Sequence, residues 1–259
     1  MTLAPELRDA LAALARTPQL LLALDFDGTM APIVSRAGDA RPLPRSAAAL
    51  QAFTELPGTT TALVSGRALA SLREAATPPA PTLLVGSHGA ESWWGPDSPA
   101  LELTVSQQAA LDEARTSVAV AVGANPGTLA EHKPAGVVLH YRLAEAEHAR
   151  NAVEHVLKTL GNHPGLHIST GKMVLEISAI KADKGQSLTA LREFCGATAV
   201  FFAGDDVTDE HAFLALQPGD LGIKVGPGTT AAPHRIETPD DLPEVLEFLL
   251  QARQAFLTT

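Results

Sequence analysis

The chain has 259 residues, of which 46% are hydrophobic and 19% charged, with a formal net charge of −10 at pH 7. Those proportions suit one large globular domain, or a core domain carrying a smaller insert. They exclude the basic face of a nucleic-acid binder, and no apolar run approaches the ~20 residues that span a bilayer.

In chain order, residues 3–16 alternate at helical spacing and predict a short amphipathic helix. "QLLLALD" (19–25) reads as a buried strand, "PRSAAALQAFTEL" (44–56) as a helix, and "TTTALVSG" (59–66) as a second strand. "ALASLREAA" (68–76) is helical again, and "TLLVGSHGAES" (82–92) is a third strand opening into a glycine-bearing loop. Strand–helix alternation with short connections is the mark of a parallel sheet flanked by helices. Trp93-Trp94, at the end of this stretch, are expected to pack at an edge or a hinge.

The rhythm changes after about residue 105. "SQQAALDEARTSVAVAV" (106–122) predicts a helix, followed by a hairpin made of "TLAEHK" and "GVVLHYR". "LAEAEHARNAVEHVLKTL" (143–160) predicts a helix charged on its outer face, and "LHISTGKMVLEIS" (166–178) a second hairpin. From "DKGQSLTALREF" (183–194) the first rhythm resumes, through the strands "TAVFFAGDD" (198–206) and "LGIKVG" (221–226) to a C-terminal helix at 242–256. The expected architecture is α/β: a Rossmann-like parallel core formed by 1–105 and 179–259. A small α+β cap, 106–178, with two helices and an antiparallel sheet, is inserted in it. A single cysteine, Cys195, rules out an intrachain disulfide and reads as a packed hydrophobe. Glu6 and Asp9 near the start leave no basic flank for a secretory signal, so a cytoplasmic location is expected; a monomer is a separate expectation.

Open parallel sheets bind ligands beyond the carboxyl ends of their strands. The strand ends here carry Asp25 and Asp27, then Ser65, then Asp205 and Asp206, while Lys184 opens the helix before the last of these. Together they would supply the parts of a metal-dependent phosphoryl transfer. Crowded carboxylates repel one another, and bound Mg2+ relieves that repulsion through oxygen ligands. Asp25 would attack phosphorus, Ser65 and Lys184 would hold the phosphoryl oxygens, and Asp27 would protonate the leaving alkoxide and then activate water. Gly28 permits the sharp turn between strand and site. Asp209 and Glu210 have two readings, as site residues or as acids favouring a helix N-terminus.

"DFDGT", "VSGR", "DKGQSL" and "GDDVTDE" resemble, in order, the four motifs of haloacid dehalogenase-superfamily phosphatases, and the insert resembles that superfamily's C2-type cap. More narrowly, "GSHGAE", "EHKPAGVVLHYR", "GKMVLEI" and "GDDVTDE" are similar to the trehalose-6-phosphate phosphatase family. Two positions depart mildly from the pattern, Met30 after "DGT" and Asp183 before the lysine, and neither removes a chemical group. The resemblance implies hydrolysis of trehalose 6-phosphate to trehalose and phosphate through an aspartyl-phosphate. It implies Mg2+ held by Asp25, the Asp27 backbone carbonyl and Asp205, with Asp206 and Asp209 supporting the metal's waters or the Lys184 ammonium.

Glu131, Lys133, Lys172 and Glu176 would then contact sugar hydroxyls, with Arg142 beside them or paired structurally with a carboxylate. Gly66, Arg67 and the 87–89 turn lie at strand tips below the same ligand, His88 serving either that ligand or the loop's own hydrogen bonds. The chain has only six lysines, and three of them, Lys133, Lys172 and Lys184, fall in these stretches, which suits local correction of an acidic field. Functional coupling to a trehalose-6-phosphate synthase is a further expectation. The alternatives keep the chemistry on another sugar phosphate, such as sucrose 6-phosphate or a glycosyl-3-phosphoglycerate, or replace it by a phosphomutase or a sugar-phosphate sensor without turnover.

Overall fold

The run Leu20–Leu24 forms β1, and all five of its side chains are buried. A strand apolar on both faces belongs inside a parallel sheet covered on each side by helices. The computed structural model describes residues 3–171 and 173–258. In chain order the elements are α1 (Pro5–Leu14), β1, α2 (Pro44–Thr54), β2 (Thr59–Val64), α3 (Leu69–Ala76), β3 (Leu83–Gly86) and β4 (Glu91–Trp93). Then come α4 (Val105–Ala124), β5 (Leu129–Lys133), β6 (Gly136–His140), α5 (Ala146–Leu160), β7 (His167–Gly171) and β8 (Val174–Ser178). Last are α6 (Lys184–Cys195), β9 (Ala199–Gly204), α7 (Asp209–Leu214), β10 (Leu221–Val225), β11 (His234–Ile236) and α8 (Leu242–Leu257).

The chain forms two compact units, one of residues up to Pro99 with those from Ala182 onward, the other Ala100–Lys181. Among the described residues the first unit holds a seven-stranded sheet in the order β11-β10-β9-β1-β2-β3-β4. Its neighbours are parallel except for the pair β3–β4. β1 lies between β2, next in the chain, and β9, reached only after the second unit. Chain direction across the sheet switches at β1, the kind of point where open α/β sheets place their ligands.

Alternation along β1 divides its side chains between two helix layers. Leu20, Leu22 and Leu24 pack with Leu11, Phe53 and Leu246 from α1, α2 and α8. Leu21 and Ala23 pack with Leu188, Leu191 and Phe213 from α6 and α7. Truncating one such leucine to alanine costs about 2–5 kcal/mol, because the cavity collapses only in part. The rigidity of the strand that presents Asp25 comes from this double burial.

The third strand differs from the sequence expectation. It stops at Gly86, passes through Ser87 and His88 at φ +48° and +55°, and returns as the antiparallel edge strand β4. The reversal is held by buried Glu91, which accepts hydrogen bonds from Ser87 Oγ at 2.5 Å and Leu69 N–H at 3.4 Å. β11, three residues long after a proline- and threonine-bearing loop, was not expected either.

The second unit is a four-stranded antiparallel sheet in the order β5-β6-β8-β7. Val137, Leu139, Leu175 and Ile177 on one face pack with α4 and α5 through Leu111, Val118 and Val156. Thr104 and Gln107 close a capping box that starts α4. On the opposite face, register places Glu131, Val138, Glu176 and Ser169 in one row and Lys133, Gly136, Ser178 and His167 in the next. No helix among the described residues is long and apolar enough to cross a membrane.

Candidate active site

The tips of β1, β2 and β9 bring the core motifs together. Asp25 follows β1 directly, and its N–H donates to Ala203 O on β9 at 2.9 Å, which ties the first and fourth motifs. Lys184 Nζ, at the first position of α6, donates to Asp25 Oδ1 at 2.7 Å and to Asp209 Oδ1 at 2.6 Å. The helix is capped by Asp183, whose carboxylate accepts from Gln186 N–H at 2.8 Å, so its start and hence the lysine's position are fixed. Thr29 Oγ1 donates weakly to Asp25 Oδ2 at 3.4 Å.

Carboxylate oxygens of Asp25, Asp205 and Asp209 lie within 4.8 Å of one another. Burial pushes the Asp25 carboxyl well above its ordinary value; Lys184 works against this, and the charges of Asp209 and Asp205 add to it. Burial would pull the Lys184 ammonium down, yet Asp209 and Asp25 outweigh it and raise its pKa. Such crowding of oxygen donors around one ammonium is chemically matched to a hard divalent cation of the Mg2+ type. Gly28 makes the crowding possible. Its φ is +82°, and a Cβ there would lie 2.2 Å from Asp205 Oδ2. Asp206 contributes its backbone N–H, which donates to Asp209 Oδ2 at 2.8 Å.

Asp27 stands apart from this cluster. Its carboxylate takes two parallel hydrogen bonds from Arg67, Nε to Oδ2 at 2.5 Å and Nη2 to Oδ1 at 2.7 Å. That fork–fork geometry fixes the aim of the carboxylate as well as its place. The sequence placed Arg67 with the ligand contacts; its guanidinium engages Asp27, stacks over Phe26 at 5.3 Å and reaches Ser71 Oγ at 3.2 Å.

Ser65 is buried at the tip of β2, with its Oγ accepting from Arg67 N–H at 3.2 Å. The Ser87–His88 turn is sewn to the same tip by Ser87 N–H to Arg67 O at 2.7 Å and His88 N–H to Ser65 O at 3.0 Å. The His88 ring fills the space where a Gly66 side chain would begin, its Cε1 2.4 Å from the ideal Cβ position. Gly66 and His88 are thus a packed pair beside Ser65. Glu210, the last residue of the "GDDVTDE" stretch, turns towards the loop after β10, where it accepts from Ala231 N–H at 2.8 Å.

In the second unit, the helix-free sheet face brings together Glu131, Lys133 and Glu176. Lys133 Nζ is paired with Glu176, and His140 Nε2 lies 2.8 Å from Glu131 Oε2. The hydrogen bond to His140 holds the Glu131 carboxyl below its ordinary value, against partial burial and with help from Lys133. Arg142 is exposed just past β6, and Lys172 lies outside the described residues. Sequence reasoning passed over His140, Thr29 and Lys224. Only Lys224 carried a readable signal, a lone cation inside an otherwise apolar strand.

A trehalose-phosphatase family model matches residues 23–238. The trehalose-phosphate phosphatase of Mycobacterium leprae is 34% identical over 96% of this chain and 62% of its own length. That of Mycobacterium ulcerans is 33% identical over 90% and 63% respectively. The chain thus spans somewhat under two thirds of the length of these curated relatives. Among solved structures, the C-terminal domain of the C. albicans trehalose-6-phosphate phosphatase superposes with a TM-score of 0.80 at 21% identity, covering 97% of this chain and 98% of that one. This likeness shows the fold alone, a parallel-sheet core with an inserted unit built on an antiparallel sheet. On the match across 23–238, the chain belongs to the trehalose-phosphatase family.

Proposed function

We propose that the protein is a Mg2+-dependent phosphatase that hydrolyses trehalose 6-phosphate to trehalose and inorganic phosphate. The observation that carries this reading is the arrangement at the β1 tip. One carboxylate, Asp25, is buried against Lys184, while a second, Asp27, is turned aside and aimed by Arg67. Two carboxylates in such different surroundings can take two different roles.

An Asp25 carboxylate oxygen attacks phosphorus, and the bond from phosphorus to the sugar oxygen breaks. Asp27 acts as general acid and delivers a proton to that leaving oxygen. The aspartyl-phosphate on Asp25 is then opened by a water whose proton Asp27 takes back, releasing phosphate and the free carboxylate. Lys184 and Ser65 hold phosphoryl oxygens as charge redistributes. The donors that would hold Mg2+ are the Asp25 and Asp205 carboxylates and the Asp27 carbonyl, with Asp209 and Asp206 behind them. When bound, the ion would offset the charge of the phosphate. The helix-free sheet face of the second unit would supply sugar contacts through Glu131, Lys133 and Glu176, with Lys172 and Arg142 completing the set.

The test is phosphate release from trehalose 6-phosphate, sucrose 6-phosphate and a glycosyl-3-phosphoglycerate, each with and without Mg2+. A preference of at least about 10-fold in kcat/KM for trehalose 6-phosphate, lost on chelation, is expected. Equal rates across the panel would overturn the substrate, full activity after chelation would overturn the metal, and binding without turnover would make the protein a sensor.

A further inference from the structure

Lys224 is buried in the core unit, and the chemistry proposed above does not use it. It lies in β10, whose other members, Leu221, Gly222, Ile223 and Val225, are buried and uncharged. An ammonium in such a strand is tolerated only when its donors are met. Lys224 Nζ donates to the backbone carbonyl oxygens of Asp205 at 2.5 Å and Asp206 at 3.4 Å. Glu210 Oε1 lies 3.6 Å from the same nitrogen. The other Glu210 oxygen is anchored by Ala231 N–H at 2.8 Å and Thr230 Oγ1 at 3.2 Å.

These bonds answer a local need. β9 ends at Gly204, opposite Lys224 in the β9–β10 register, and the acidic turn continues past the ladder. Its carbonyls have left the sheet and still require donors. A methylene stem rising from β10 delivers one ammonium to two of them, and Glu210 keeps that ammonium from swinging away. The Asp205 backbone is held from behind while its carboxylate meets those of Asp25 and Asp209.

We propose that Lys224 is a positioning residue that sets the affinity of the Asp25–Asp205–Asp209 cluster for a divalent cation by fixing the Asp205–Asp206 turn. The proposal rests on the reading of that cluster as a cation site given above. It makes a prediction opposite in sign to simple electrostatics. Removing a nearby positive charge should tighten cation binding if charge alone mattered, whereas releasing the turn should weaken it.

The experiment is calorimetric titration of Mg2+ into the substrate-free parent, Lys224→Met and Lys224→Arg, with thermal melting of each in the presence and absence of Mg2+. Lys224→Met is expected to bind Mg2+ about 10-fold or more weakly and to lose most of the Mg2+-induced rise in Tm, with Lys224→Arg recovering much of both. At saturating Mg2+ the KM for trehalose 6-phosphate should stay within about twofold, since uniform ligand binding is untouched. Should Lys224→Met fail to fold, Glu210→Gln, which frees Lys224 without removing it, is expected to weaken Mg2+ binding in the same direction by less. Unchanged or tighter Mg2+ binding in a folded variant overturns the positioning role. A parent that takes up no Mg2+ overturns instead the cation reading beneath it.

Discussion

The molecule carries two sets of hydrogen-bonded polar side chains in opposite surroundings. In the core unit the side chains of Lys184, Asp25 and Asp209 are 2%, 6% and 0% exposed, with nitrogen-to-oxygen distances of 2.7 and 2.6 Å. On the second unit's sheet, Glu131 and His140 meet at 2.8 Å but are 50% and 39% exposed. Lys133 and Glu176, at 9% and 18%, lie between the extremes. Water screens the exposed pair, and breaking it leaves both groups hydrated. Water screens the buried set far less, and removing its one ammonium strands two carboxylates in a poor solvent. Fixed geometry suits bond-making at a single atom. An exchangeable pair suits recognition of hydroxyls, which must displace one partner to bind the other.

The sharpest way to break this contrast is at Asp25. Asp25→Asn keeps the shape and removes the proposed nucleophile, so phosphate release should fall by about 10^4-fold or more, read by a malachite-green assay. Stability should move the other way. A carboxyl whose pKa is raised by folding contributes stability below its ordinary value of 3.8, a contribution lost as pH rises through the folded value. At neutral pH asparagine should therefore be no less stable, checked by urea denaturation.

Next in size is Lys184→Met, which leaves Asp25 and Asp209 buried without their ammonium. A loss of about 3–5 kcal/mol in unfolding free energy is expected, with activity abolished. Arg67→Lys comes third. A single ammonium cannot reproduce the fork on Asp27, so kcat should fall about 100-fold while KM changes little, measured by steady-state kinetics. The smallest effect belongs to Glu131→Gln. The folded pKa of Glu131 is lowered, so its contribution is present above its ordinary 4.5 and lost as pH falls through the folded value. Parent and variant should differ by less than about 1 kcal/mol near pH 6 and converge as pH falls below the ordinary 4.5 and through the lowered folded value in melting experiments. A larger gap would mean that the Glu131–His140 pair is not exchangeable.

The same contrast explains what could be read from the sequence. Leu20–Leu24 announced a buried strand because burial on both faces leaves a continuous apolar run. Asp25, Ser65, Lys184 and Asp205 could be gathered because strand tips of a parallel sheet meet at the switch point. The two hairpins of the second unit followed from their alternation and short turns. The reversal after Gly86 was hidden because it depends on Glu91 reaching Ser87 and Leu69, contacts that exist only once the chain has folded. The union of Arg67 with Asp27 is likewise a matter of side-chain direction across 40 positions of sequence, which no local pattern encodes. Met30, which stands where the family resemblance leads one to expect leucine, is wholly buried in the core and changes none of these groups.

The most direct test of the central claim is a rapid acid quench of the protein mixed with trehalose 6-phosphate and Mg2+, followed by borohydride reduction and peptide mapping. An acyl phosphate on the nucleophile is reduced to the alcohol, so the account predicts homoserine at position 25 and nowhere else. Phosphate release with an unmodified Asp25, or reduction at position 27, would contradict it.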